Sequence, residues 1–425
     1  MNKIPFILNG VPYDLLNKEV MSFSFLDASN KYNIQHAPTN IGLDLLTIGL
    51  IVSYCDRHVK REDFPNAWNR DISVTIPVLE IDKWESVKTS LVRCLSFLSG
   101  DNWDICFTKR EKTDNENKFY KFNKNQKKSA PPKIENRKMC MLSGGLDSFI
   151  GAIDLLEKTK EVIFVNIHGR GNGFVNDFNN VKNALYEEFN LENKDLMFKT
   201  FYVGPGKTIE NTTRARSFTF FTTALALMTC FDDINELVIP ENGTISLNVP
   251  LTIGRFGSSS TRTTHPFYIN ELKNICVGLG INTSITNPYQ FKTKGEMVVD
   301  CCRPDFLKNH LTDTMSCSHP NSARYQGDAH PKHCGTCLPC FIRMAAEYKA
   351  YGELITHFDR KPSETTKSTE RCLRIRLSQL ESIDYDIEVQ KNGPLNDNLY
   401  SYSDLYKRSL NELRDLISYL DSLKE

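Results

Sequence analysis

From Met139 to Leu156 the chain reads MCMLSGGLDSFIGAIDLL: an apolar run, then Ser143-Gly144-Gly145-Leu146-Asp147-Ser148, then an apolar helix. A strand that turns directly into a helix belongs to an α/β layer, and such a turn lies over the carboxyl edge of the sheet, where open α/β folds bind ligands. Two glycines let backbone amides come close to an anion, the hydroxyls of Ser143 and Ser148 add donors, and a helix start favours negative charge. The loop therefore reads as phosphate-binding; the alternative is a plain glycine turn before a helix cap. It has neither the Gly-Lys-Ser/Thr of a Walker loop nor the spacing of a dinucleotide fingerprint.

The rhythm around the loop supports that setting. From Lys138 onward short apolar runs (KMCML, EVIFVNIHG, LMFKTFYVG, NELVIPENG) alternate with amphipathic helices, which implies an α/β fold with a parallel sheet and helices on both faces. Residues 1–112 mix short strands with the helix GLDLLTIGLIVSYCDRHV and read as an α+β accessory domain. Residues 113–137, rich in Lys and Asn, read as a linker, residues 138–360 as the α/β domain that carries the loop, and residues 361–425 as a helical extension.

Composition narrows the classes of partner. Among 425 residues, 52 basic and 52 acidic side chains cancel, so no global charge favours nucleic acid or a membrane surface. No apolar run reaches the ~18 residues of a membrane span, and the first residues lack the core of a signal peptide, so the expected location is cytoplasmic. Thirteen cysteines, an odd number, fit reduced thiols better than a disulfide framework. Three of them, Cys334, Cys337 and Cys340, form a Cys-x-x-Cys-x-x-Cys run opening a helix, with Cys317 upstream. That spacing predicts a closed tetrahedral zinc site; an iron–sulfur cluster or unliganded thiols are the alternatives, and His319, His330 and His333 are further candidate ligands.

The phosphate loop followed by Cys317 and CGTCLPC-x-x-R resembles the QueC family (7-cyano-7-deazaguanine synthases) of PP-loop ATP pyrophosphatases, over roughly Lys138 to Tyr348. The resemblance implies an adenine nucleotide alpha hydrolase-like fold, ATP with Mg2+ as cofactors beside Zn2+, and adenylation of the carboxylate of 7-carboxy-7-deazaguanine before an amine displaces AMP. It places Ser143, Gly144, Gly145, Leu146, Asp147 and Ser148 on the phosphates and Val165, Asn166 and Ile167 beside adenine. It puts Arg214, Arg216 and Lys294 on phosphate, with Glu296 orienting Lys294, and Glu241, Asn242 and Gly243 near the base. Asp147, Ser148, Lys294 and Arg216 would be catalytic.

Where the family has Tyr-Pro-Asp-Cys-Arg, this chain has SSSTRTTHPFY, which keeps an arginine, Arg262, and loses the aspartate. His265 there reads as a helix-start residue rather than a base. The terminal additions and this altered stretch resemble the enlarged QueC-like proteins of bacterial anti-phage islands, the QatC type of the Qat system. That implies a partner protein from the same defence operon, and an acceptor that is either ammonia or the amino terminus of such a partner. Nucleic acid is not an expected partner. The additions are expected to hold the partner, so that deleting residues 1–112 would spare ATP turnover, provided the core still folds, and abolish partner binding. The alternatives are a catalytically degenerate nucleotide-binding scaffold and a housekeeping synthase.

Overall fold

The structure, a computed structural model, describes residues 3–27, 33–125, 130–169, 173–192, 194–212, 214–250, 262–320, 331–359 and 368–423. The chain opens with the hairpin β1 (Pro5–Leu8) and β2 (Val11–Asp14), whose two-residue turn takes Asn9 and Gly10 at positive φ. After β3 (Met21–Phe23) come α1 (Asn40–His58), β4 (Asp71–Val78), α2 (Ile81–Ser99), β5 (Asn102–Lys109) and α3 (Asp114–Asn125). The first sheet has the order β2-β1-β4-β5. Along β5 exposed and buried residues alternate, as expected of a sheet with one wet face.

The second sheet is built from β6 (Arg137–Met141), α4 (Leu146–Leu156), β7 (Val162–His168), α5 (Gly173–Glu188), α6 (Lys194–Met197), β8 (Phe198–Pro205), α7 (Arg216–Met228), β9 (Ile234–Val238), α8 (Gly243–Leu247), α9 (Pro266–Gly278) and β10 (Ser284–Thr286). Its order is β10-β9-β6-β7-β8-β3; β10, β9, β6, β7 and β8 run parallel, and β3 closes one edge antiparallel to β8. The chain winds outward from β6 through β7 and β8, then returns to place β9 on the other flank of β6. Between β6 and β9 lies the point where strand order reverses, the place at whose carboxyl edge open α/β sheets form their binding crevice.

Alternate residues of the central strands separate two cores. Cys140, Val162 and Phe164 face Phe149, Ile153 and Phe178 of α4 and α5, while Met139, Ile163 and Val165 face the side carrying α1 and α7. Helix α1 is buried almost along its whole length because it is wedged between the first sheet and α7. Glycines make that approach possible. A Cβ on Gly49 would lie 2.0 Å from Thr222 Oγ1, and one on Gly42 would lie 2.1 Å from Thr229 Oγ1.

The boundary drawn at residue 112 is thus crossed twice, by β3 in the second sheet and by α1 on its face. The tract read as a linker also differs from expectation: residues 114–125 are helical, because Thr113 and Glu116 cap the start and Phe119 buries its ring. Residues 126–129 of that tract lie outside the described residues. Beyond β10, α10 (Lys294–Val299) and α11 (Pro304–Asn309) add Met297, Val298 and Leu307 to the core around α4, while α12 (Leu338–Tyr351), α13 (Ser368–Leu377), α14 (Tyr385–Gln390) and α15 (Leu399–Ser422) form a third core. Leu405, Leu413, Leu416 and Leu420 seat α15 there at helical spacing. Among the described residues no helix is long and apolar enough to cross a membrane.

Candidate functional site

The loop that follows β6 is fixed largely by its own side chains. Gly144 takes φ +84°, and a Cβ on it would lie 2.9 Å from the backbone nitrogen of Phe178; both facts demand glycine. Ser148 Oγ donates to Gly145 O at 2.9 Å and accepts from Ser143 N at 3.2 Å, while Ser143 Oγ accepts from Gly145 N at 3.3 Å. Ser148 is buried and braces the turn; Ser143 is exposed. No side chain caps α4, so the first-turn amides from Leu146 onward are not capped from within, the arrangement an anion exploits.

Asp147 joins this loop to the opposite side of the crevice. Its Oδ1 lies 2.7 Å from Lys294 Nζ, and its Oδ2 accepts from Asn242 N at 3.1 Å and Asn242 Nδ2 at 2.6 Å. Each partner is itself held by a helix start. Asn242 caps α8 by accepting from Ile245 N, and Lys294 is the first residue of α10, whose capping box pairs Thr293 with Glu296. A Cβ on Gly243 would meet Gln290 O at 2.3 Å, so this loop also requires glycine. Beside them, Glu241 accepts the hydroxyl of Thr264. Burial pushes its pKa up to about 7, with the Asp147 charge adding to that effect and Lys294 opposing it.

Other expected residues sit differently. Glu296 does not orient Lys294: capping α10 and an ion pair with Arg408 of α15 occupy it. Val165 and Ile167 are core side chains, and Asn166 spends its amide on Leu142 O at 2.9 Å. A central parallel strand is covered on both faces, which leaves such side chains no open surface. Arg214 donates to Ser99 O at 3.0 Å and lies over Trp68, while Arg262 donates to Phe97 O at 2.7 Å and to Asn392 Oδ1 at 3.2 Å. Both serve carbonyls at the end of α2, where the helix dipole favours cations. Arg216 lies over Phe220, and burial lowers its pKa. Asp56 of α1 accepts Ala215 N at 3.0 Å, fixing the start of α7 between these arginines.

His265 caps α9 through Nδ1, which accepts from Phe267 N, and burial drops its pKa to about 3. It is a neutral structural residue. Residues 251–261, which include the first part of SSSTRTTHPFY, lie outside the described residues.

The four cysteines converge. Their sulfurs all lie within 4.8 Å of one another, with Cys317 to Cys337 at 3.9 Å and Cys334 to Cys340 at 4.0 Å. Metal–sulfur bonds of about 2.3 Å in a tetrahedron set sulfurs about 3.8 Å apart, so the cluster fits one ion such as zinc. Gly335 takes φ +71° in the Cys334–Cys337 turn, letting Thr336 N point at Cys334 Sγ; His319 N and Cys334 N point at Cys317 Sγ. Among the described residues these four form the one such group. His333 is turned away, its Nε2 accepting from Ser316 N at 3.2 Å; His330 lies outside the described residues.

Sequence reasoning missed Thr264, Met315 and the role of Arg343. The Cys-x-x-Arg spacing marked Arg343, but nothing in the sequence told what its guanidinium reaches. No family model matches the chain, and no curated protein matches it.

Proposed function

We propose that this chain is a QueC-like ATP-dependent ligase, which activates the carboxylate of a 7-deazaguanine as an acyl adenylate and passes it to an amine in a bacterial defence system. One observation carries the reading: Asp147, Asn242 and Lys294, from the starts of three separate helices, meet beside the uncapped start of α4 at the strand-order switch. In this reading the amides of α4 and the Ser143 hydroxyl bind the β and γ phosphates of ATP. Lys294, released from Asp147, neutralises charge on the leaving pyrophosphate, and Asp147 is then free to hold the Mg2+ that travels with the nucleotide. The carboxylate oxygen attacks the α phosphorus and pyrophosphate leaves; the amine then attacks the acyl carbon and AMP leaves. Glu241 and Thr264 border the space assigned to the base.

The test is chromatography of nucleotides after incubating the protein with ATP, Mg2+ and 7-carboxy-7-deazaguanine. AMP and pyrophosphate are expected, and ADP would refute the assignment. Asp147→Ala and Lys294→Met should each lower AMP formation by ~10²–10³-fold, and activity at the parental level in both would remove the loop from the chemistry. Intact-mass analysis of proteins encoded beside this one would identify the acceptor by a base-sized adduct.

A further inference from the structure

The cysteine cluster and the phosphate loop are not separate features of the fold. Two residues before Cys317, Met315 N donates to Gly144 O at 3.1 Å. Met315 O lies 3.3 Å from where a Cβ on Gly145 would stand, so the segment passes directly over the glycine pair. Phe178 closes Gly144 from the other side. The loop is therefore held between α5 and a strap, residues 311–317, that starts as a single 3-10 turn at Leu311–Asp313 and ends in a metal ligand.

The strap begins at Leu311, which is fully buried in the core around α4, and its backbone from there to Cys317 is served from α12. Arg343, fully buried on α12, donates to Leu311 O at 2.6 Å, to Thr314 O at 3.2 Å, to Thr314 Oγ1 at 2.9 Å and to Ser316 Oγ at 3.3 Å. Ser316 N donates to His333, the neighbour of Cys334. Arg343 itself is placed by the cluster, since Cys337 is the N-cap of α12 and Cys340 lies in its first turn. Arg343 is held on α12 by Glu347 and Thr356, each at 2.9 Å, so the stretch from Thr314 to Cys317 is tied to the one helix whose start carries Cys337 and Cys340.

We propose that the metal-held strap sets the order of the phosphate loop, so that occupancy of the cysteine cluster controls the loop's competence for an anionic ligand. Met315 and Arg343 are positioning residues in this scheme; neither touches the ligand. An ion at the cluster fixes Cys317 relative to α12, where Arg343 grips Thr314 and Ser316 on either side of Met315 and so holds Met315 against Gly144. Loss of the ion frees the Cys317 end of the strap while Leu311 stays buried, and Gly144 loses its backbone partner. The last step, an effect on ATP, rests on the function proposed above; the effect on the loop does not.

Hydrogen exchange on the full-length chain separates the two. Zinc is first measured by elemental analysis, with one ion per chain expected. Peptides spanning residues 142–150 are then followed in the zinc-loaded protein, after chelation, and after zinc is restored, with peptides of β4 as the reference. The loop is expected to exchange about tenfold faster without zinc, to recover with it, and to change more than β4. Because chelation could loosen the whole third core, the deciding variant is Met315→Pro. It removes the donor to Gly144 while leaving the thiols in place, and the extended backbone of Thr314 accepts a following proline. Faster loop exchange in this variant, with zinc content unchanged, supports the strap; loop exchange at the parental rate in zinc-loaded Met315→Pro overturns it. If the parent protein binds no ATP, the ligase reading falls and the exchange result still decides the strap.

Discussion

At the scale of single residues, the site depends on carboxylates held in unequal surroundings. Asp147 has a cation and two amide donors, whereas Glu241 has one hydroxyl and the charge of Asp147 nearby. The pKa of Glu241 rises from 4.5 to about 7, so the folded state holds its proton more tightly than the unfolded chain does. Its contribution to stability is complete below about pH 4.5 and is lost as pH climbs through 7, up to roughly 3 kcal/mol from this group alone. Asp44, raised to about 6 by burial, acts in the same direction at lower pH. Urea melts between pH 4.5 and pH 8 should therefore show Glu241→Gln losing less stability with rising pH than the parent. Parallel pH profiles would show that Glu241 titrates normally.

At the scale of elements, the α1–α7 contact offers a sharper test. Gly49→Ala should destabilise by about 1–3 kcal/mol, because the new methyl meets Thr222 Oγ1 with no room to move. Thr222→Ala should relieve that clash, since its hydroxyl bonds only within its own helix, to Thr219 O. A double-mutant cycle by urea denaturation should give a coupling above about 0.5 kcal/mol; strict additivity would mean that the helices do not touch there. The same contact shows what the sequence could and could not convey. The glycine turn, the parallel sheet and the cysteine spacing were legible because each follows from local chemistry: positive φ, an apolar run of five, thiols at fixed intervals. The helical state of residues 114–125 was not, because Lys and Asn hide a capping box and the buried ring of Phe119. Nor were the places of Arg214 and Arg262, because the carbonyls they serve belong to α2, more than a hundred residues away in the chain.

At the scale of the whole molecule, the terminal segments are structural members of the core. β3 occupies the edge of the second sheet beside β8, and α1 covers the face that Ile163 and Val165 would otherwise expose to water. Asp56 of α1 also fixes the start of α7, and Asn392 of the C-terminal segment bonds both Arg262 and Leu247 O. Removing residues 1–112 would bare β8 as an unpaired edge and uncover α7 along its length, and a large apolar face opened to water favours association or unfolding. Deletion is therefore expected to yield aggregated or unfolded protein and no ATP turnover, in place of the intact enzyme that the sequence alone suggests. Size-exclusion chromatography and circular dichroism of the 113–425 fragment check this: a monodisperse fragment with native-like helix content would show that residues 1–112 are dispensable for folding. The region is then best probed for partner binding by point changes on the exposed edge and face of the first sheet, such as Asp104→Lys on β5, with the rest of the chain left whole. Such a variant should keep its thermal transition and, if this face carries a protein partner, lose that partner in a pull-down.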